Sequence, residues 1–189
     1  MYRVFKAYRA GIPIPVPPRL KANVIREYGK RFGLKTLIET GTYYGDTMAA
    51  VLHDFDAIYS IEYDEFLWSR AKQRFAAHPH VHPVNGDSAV KLPEVLREVK
   101  GPCLFWLDAH YSGGITGRAP KDTPIVQELE TIFATGEDGH VILIDDARHF
   151  VGANDYPTLE ELEDHIAATH PGWKCRTEND IIRIFKAGT

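Results

Sequence analysis

The chain contains no run of about 18 apolar residues, so no segment of it reads as a membrane-crossing helix. Prolines interrupt its basic start before a signal-like apolar stretch of about 7–15 residues can form. Cysteine is scarce. Cys103 and Cys175 stand far apart, match no zinc or redox spacing, and read as buried free thiols of a reducing, cytoplasmic compartment. The G-x-G-x-x-G pattern of a nicotinamide-dinucleotide loop is also missing. There is no internal repeat, and no biased segment beyond one proline run. What remains is 189 residues, 44% apolar and 25% charged, which excludes wholesale disorder and leaves room for one domain of ordinary size.

The net charge of −4 conceals an asymmetry. Residues 1–35 carry nine Lys/Arg against Glu27 alone, and the remainder carries thirteen against twenty-five acids. An acidic body argues against a nucleic-acid partner, because phosphate neutralisation needs clustered cations. The basic arm is expected to lie against the acidic body or to hold an anionic ligand.

Ile12–Pro18 reads as an extended proline-rich connector. Leu20, Val24, Ile25, Tyr28 and Phe32 then recur at helical spacing, giving one amphipathic helix that ends near Gly33. From Thr36 the rhythm changes. Short apolar runs at Thr36–Glu39, Ala57–Glu62, Val81–Val84, Cys103–Leu107 and Val141–Ile144 alternate with helical patterns near 45–53, 64–77, 88–99, 123–135 and 157–169. That alternation predicts a doubly wound parallel sheet with helices on both faces. Trp173–Glu178 and Ile181–Lys186 flank Asn179-Asp180 and predict a closing antiparallel hairpin, for seven strands in all. The expected division is a basic arm and lid helix over 1–35, followed by one domain over 36–189.

Ligands of such sheets bind outside the carboxyl ends of the strands, and those ends are acidic here. The first reads Glu39-Thr-Gly41-Thr42-Tyr-Tyr-Gly45-Asp-Thr47, with two glycines that let backbone approach a ligand. An acid at that turn repels a pyrophosphate but can receive an ammonium group. The second ends Glu62-Tyr63-Asp64, where an acid can accept two hydrogen bonds from ribose hydroxyls. The third ends Asn85-Gly-Asp87-Ser88, an acid and a hydroxyl able to meet an exocyclic amine. Each feature alone is also what a helix cap looks like; their order along the chain gives them weight.

The series Glu39-x-Gly41-x-x-x-Gly45, Glu62, Asp87 and Asp108 resembles the motif series of class I S-adenosylmethionine-dependent methyltransferases, over roughly residues 36–189. The resemblance implies a Rossmann-like seven-stranded sheet and methyl transfer to a small molecule. It places Glu39, Gly41 and Gly45 around the methionine moiety, Glu62 at the ribose, and Asp87 with Ser88 near the adenine, with Thr42, Thr47, Tyr63 and Asp108 as further cofactor-binding residues. Thr42 and Tyr43 stand where the family more often has a middle glycine. Asp108, Asp145 and Asp146 end neighbouring strands, and three converging carboxylates suit magnesium or another hard divalent cation. This triad is similar to that of metal-dependent O-methyltransferases, where the metal lowers a substrate hydroxyl's pKa. His110 and Asp146 stand where the catechol-type enzymes place a lysine and an asparagine, so the sugar-modifying branch fits better.

His110 is the expected base, with Asp108 beside it. Tyr111–Arg118 and Lys121 form a glycine-rich loop expected to cover the site together with the basic helix. His78, His80 and His82 alternate as zinc ligands can, but prolines interrupt them and no fourth ligand is apparent. Tyr43, Tyr44, Phe66 and Trp68 are expected to pack in the core, with adenine stacking as the other use. The proline arm suits exchange between copies of the chain as well as folding back. Two other readings stay open: a nucleotide-dependent enzyme on the same sheet, and a non-catalytic binding protein.

Overall fold

The computed structural model describes residues 17–109 and 123–186. Helix α1 (Pro18–Arg31) is followed by strand β1 (Thr36–Thr40), α2 (Asp46–Ala50), β2 (Ala57–Glu62), α3 (Glu65–Arg74), β3 (Val81–Asn85) and α4 (Ser88–Glu98). Then come β4 (Cys103–Leu107), α5 (Ile125–Phe133), β5 (Val141–Ile144), α6 (Leu159–Thr169), β6 (Trp173–Glu178) and β7 (Ile181–Lys186). One sheet holds all seven strands in the order β3-β2-β1-β4-β5-β7-β6. The first five are parallel, and β7 runs antiparallel between β5 and β6. The doubly wound sheet expected from the apolar rhythm is therefore the fold.

Parallel strands covered on both faces read as continuous apolar runs, and β4 and β5 are buried at every residue. One face packs Leu37, Leu104, Trp106 and Leu143 against α1, α2 and α3 through Ile25, Met48 and Ala71. The other packs Ile38, Phe105, Leu107 and Ile142 against α4, α5 and α6 through Leu92, Ile132 and Ile166. Pro83 is tolerated because β3 is an edge strand. Asn179 and Asp180 both adopt left-handed backbone (φ 50° and 59°), the geometry of the tight hairpin their identity predicts.

Four local expectations change. Pro18 is not connector but the first residue of α1, where a missing N–H costs nothing. The helix expected over 45–53 is one short turn-and-a-bit, ending at Val51 because its amide turns back to Thr47 and Met48. Cys175 is half-buried, since it sits on the edge strand β6, whereas Cys103 is buried as expected. Tyr43, Tyr44 and Phe66 are exposed rather than core, because the first two lie on the loop after β1 and the third on the first turn of α3.

Helix α1 uses its cations internally. Arg26 pairs with Asp54 at 2.8 Å, and Arg31 lies over the rings of Tyr28, Phe32 and Phe185. Ala22, Val24, Ile25 and Tyr28 are buried, so the helix is anchored in the core of the domain.

Candidate functional site

Strand order reverses between β1 and β4, the position at which open α/β sheets bind ligands. Each strand there is extended by one more backbone hydrogen bond. Gly41 N–H donates to the Ile61 carbonyl (2.9 Å), Gly86 to Glu62 (2.9 Å), Asp108 to Thr40 (2.9 Å) and Asp145 to Leu107 (3.0 Å). These bonds align the strand tips along one edge and set the spacing of the acids upon them.

Gly41 is required by geometry. Its φ is +87°, and a Cβ there would lie 2.4 Å from the Asp108 carbonyl oxygen. The loop after β1 thus touches the loop after β4, backbone to backbone. Gly45 (φ 77°) is the residue before α2, in the left-handed conformation that turns the loop into the helix.

Beneath that loop lies Glu39, 1% exposed and facing the same side of the sheet as Ser60 and Trp106. Ser60 Oγ donates to Glu39 Oε2, and Thr42 Oγ1 lies 2.6 Å from Ser60 Oγ. Burial pushes the Glu39 carboxyl up to about 8. The hydroxyls of Ser60 and Thr47 oppose this, while Asp108 and Glu62 add to it. Glu39 therefore holds a proton at neutral pH and braces the loop from below. Ser60→Ala should remove about 1–2 kcal/mol of stability, read as a fall in the urea midpoint, because it takes one of two hydroxyl partners from a buried carboxyl.

Glu62 is tied to the same loop. Its Oε2 accepts the Tyr43 N–H (2.8 Å) and its Oε1 the Asp64 N–H (2.9 Å). Burial raises its carboxyl above the ordinary range, and the amides of Asp64, Tyr43 and Tyr63 hold the rise in check. A carboxylate has about four lone-pair positions, so capacity remains for a diol. Tyr63 beside it is exposed. Asp87 caps α4 by accepting the Ala89 N–H at 2.9 Å, and Ser88 is buried.

Asp108, Asp145 and Asp146 come together as expected, each offering an oxygen within 4.8 Å of the others. Among the described residues this is the one such group; His80 instead bonds the Leu52 carbonyl and His82 stacks on Tyr59. Among the described residues, two cations engage the group. Lys21 Nζ pairs with Asp145 Oδ2 and lies 3.9 Å from Asp146, and Arg148 reaches Asp146 at 2.8 Å and also Asp180. Burial raises the Asp145 carboxyl, the neighbouring acids raise it further, and Lys21 offsets part of the rise. Burial alone would lower the Lys21 ammonium, but the three carboxylates outweigh it and raise it.

A recess beside this group is lined by Leu107, Asp108, Thr123, Glu128, Asp145 and Tyr156. Burial pushes Glu128 up to about 7 and Tyr156 up to about 12. Sequence reasoning missed Lys21, Glu128 and Tyr156. His110, the loop Tyr111–Arg118 and Lys121 lie outside the described residues.

No protein-family model matches the sequence, and no curated protein does. Solved structures do match. An O-methyltransferase from Bacillus cereus in complex with S-adenosylhomocysteine aligns at 14% identity and TM-score 0.66, over 98% of this chain and 90% of that one. TomG from Streptomyces achromogenes, an O-methyltransferase of tomaymycin synthesis in complex with S-adenosylmethionine, aligns at 13% and 0.66, over 96% and 86%. The 23S rRNA methyltransferase ErmE aligns at 15% and 0.54, over 88% and 68%. One sheet architecture thus serves both O-methyltransferases and an RNA methyltransferase. The chain has the fold of these S-adenosylmethionine-dependent methyltransferases.

Proposed function

We propose that this protein transfers the methyl group of S-adenosylmethionine to a small-molecule acceptor, at a hydroxyl oxygen. The observation that carries the reading is the alignment of Gly41, Glu62, Asp87 and Asp108 along one edge of the sheet, with Gly41 in backbone contact with Asp108. The shared fold with cofactor-bound O-methyltransferases supports it. The acidic body favours a small acceptor over RNA.

The sulfonium supplies the reactivity, and the protein supplies alignment and a base. The loop over Glu39 holds the amino-acid end, Glu62 the ribose diol, and Asp87 with Ser88 the adenine edge. Asp108 stands at the tip where the acceptor meets the methyl group. His110, two residues further along the chain, is the base proposed on its chemistry: it takes the hydroxyl proton as the oxygen–methyl bond forms and the sulfur–methyl bond breaks. The three aspartates are a hard-oxygen donor set, as magnesium requires. With Lys21 on Asp145 and Arg148 on Asp146, however, they do not fit a divalent ion as they stand.

Calorimetric titration with S-adenosylhomocysteine, with magnesium and with a chelator, tests the reading. Micromolar binding in both conditions is expected. Absence of binding in both would overturn it and return the nucleotide-enzyme and partner-binding readings.

A further inference from the structure

Lys21 belongs to the basic segment, yet its ammonium reaches 124 residues along the chain to the tip of β5. It does so from a fixed platform, because the neighbouring Ala22, Val24 and Ile25 are buried against the sheet. Its partner Asp145 is buried while the Lys21 side chain is 19% exposed, so the contact is part-buried and water screens it only in part. Asp145 Oδ1 has no hydrogen-bond partner among the described residues, and Asp145 is one of the residues lining the recess beside Asp108. Crowding three carboxylates together, two of them buried, is costly unless cations accompany them. Among the described residues Lys21 and Arg148 bring positive charge to the group, Arg148 sharing its own with Asp180.

We propose that Lys21 is the resident cation of the Asp108–Asp145–Asp146 cluster and occupies the position a divalent metal would otherwise take. A tethered ammonium does part of what a metal does: it neutralises the carboxylates and presents positive charge toward the recess. It does not need to be loaded from solution. A metal ion can hold Asp145 Oδ2 only after α1 withdraws its lysine, so ion and side chain exclude one another. This holds whether or not the protein proves to be a methyltransferase, since it concerns cation occupancy alone.

Titration of the full chain with Mn²⁺, followed calorimetrically, tests it. The natural protein is expected to bind weakly or not at all, and Lys21→Gln and Lys21→Ala to bind at least about tenfold more tightly. Lys21→Arg is expected to resemble the natural protein. Mn²⁺ should also raise the thermal midpoint of Lys21→Gln while leaving that of the natural chain unchanged, because a ligand stabilises only the state it binds. Equal affinity in the natural and Lys21→Gln proteins would overturn the proposal, as would binding in neither. Lys21→Gln keeps a polar three-carbon side chain one atom shorter than lysine, so it guards against loss of fold in Lys21→Ala. S-adenosylhomocysteine affinity, measured on the same samples, separates failure of this proposal from failure of the methyl-transfer reading.

Discussion

Replacing Glu62 with alanine is expected to lower S-adenosylhomocysteine affinity by a factor of about a hundred or more. Two hydrogen bonds from a diol to a carboxylate are worth roughly 1.5–3 kcal/mol each, and about 2.7 kcal/mol already corresponds to a hundredfold. The structure adds a second contribution. The same carboxylate clamps the Tyr43 and Asp64 amides, and Tyr43 holds left-handed backbone (φ 49°), so alanine also frees a strained loop. The two contributions separate by a double cycle with a ribose-deoxygenated ligand. Removing the diol should cost the natural protein much of its affinity and the Glu62→Ala variant almost nothing further. If both lose equally, Glu62 does not hold the ribose.

The second large effect concerns pH. Glu39 titrates near 4.5 when unfolded and is held up to about 8 by burial in the fold. The folded state therefore prefers the protonated carboxyl. The stabilisation from this preference is complete below about pH 4.5 and is lost as pH rises toward 8. The full loss is on the order of 5 kcal/mol. Glu39→Gln mimics the protonated form and is expected to remove this dependence. Its urea midpoint should match the natural protein near pH 4.5 and exceed it clearly near pH 8.5. Asp145 and Glu128 are raised as well, so both proteins will lose stability with pH, and the difference between them isolates position 39. Parallel curves would show that Glu39 is ionised at neutral pH.

The strands were legible because a sheet covered on both faces needs unbroken apolar runs, and Cys103–Leu107 or Val141–Ile144 is such a run. The acids at the tips were legible because they follow those runs directly. Lys21 and Glu128 were not, although both carried a signal. Lys21 extends the spacing of Ile25, Tyr28 and Phe32 backward by four residues, and Glu128 stands on the stripe of Ile125, Leu129 and Ile132. A charge on an apolar stripe marks a buried polar contact, ionic for Lys21 and hydroxyl for Glu128, but the sequence does not say which one, since Lys21 and Asp145 meet only through the order of strands. The exposure of Tyr43 and Tyr44 likewise depends on how the loop after β1 turns, which the left-handed residues in it decide.

The insertion of β7 between β5 and β6 bears on how the protein is made. Strand β5 ends at Ile144, but the strand that covers its edge begins at Ile181, some 37 residues later. At a synthesis rate of roughly 5–20 residues per second, that edge stays bare for about two to seven seconds after β5 has emerged. Its apolar residues, with the backbone groups of alternate residues unpaired on that side, are then open to another nascent chain. Protection during synthesis is thus a matter of timing, and a pause in translation between residues 144 and 181 would lengthen the exposure of a strand that the finished fold buries at every residue.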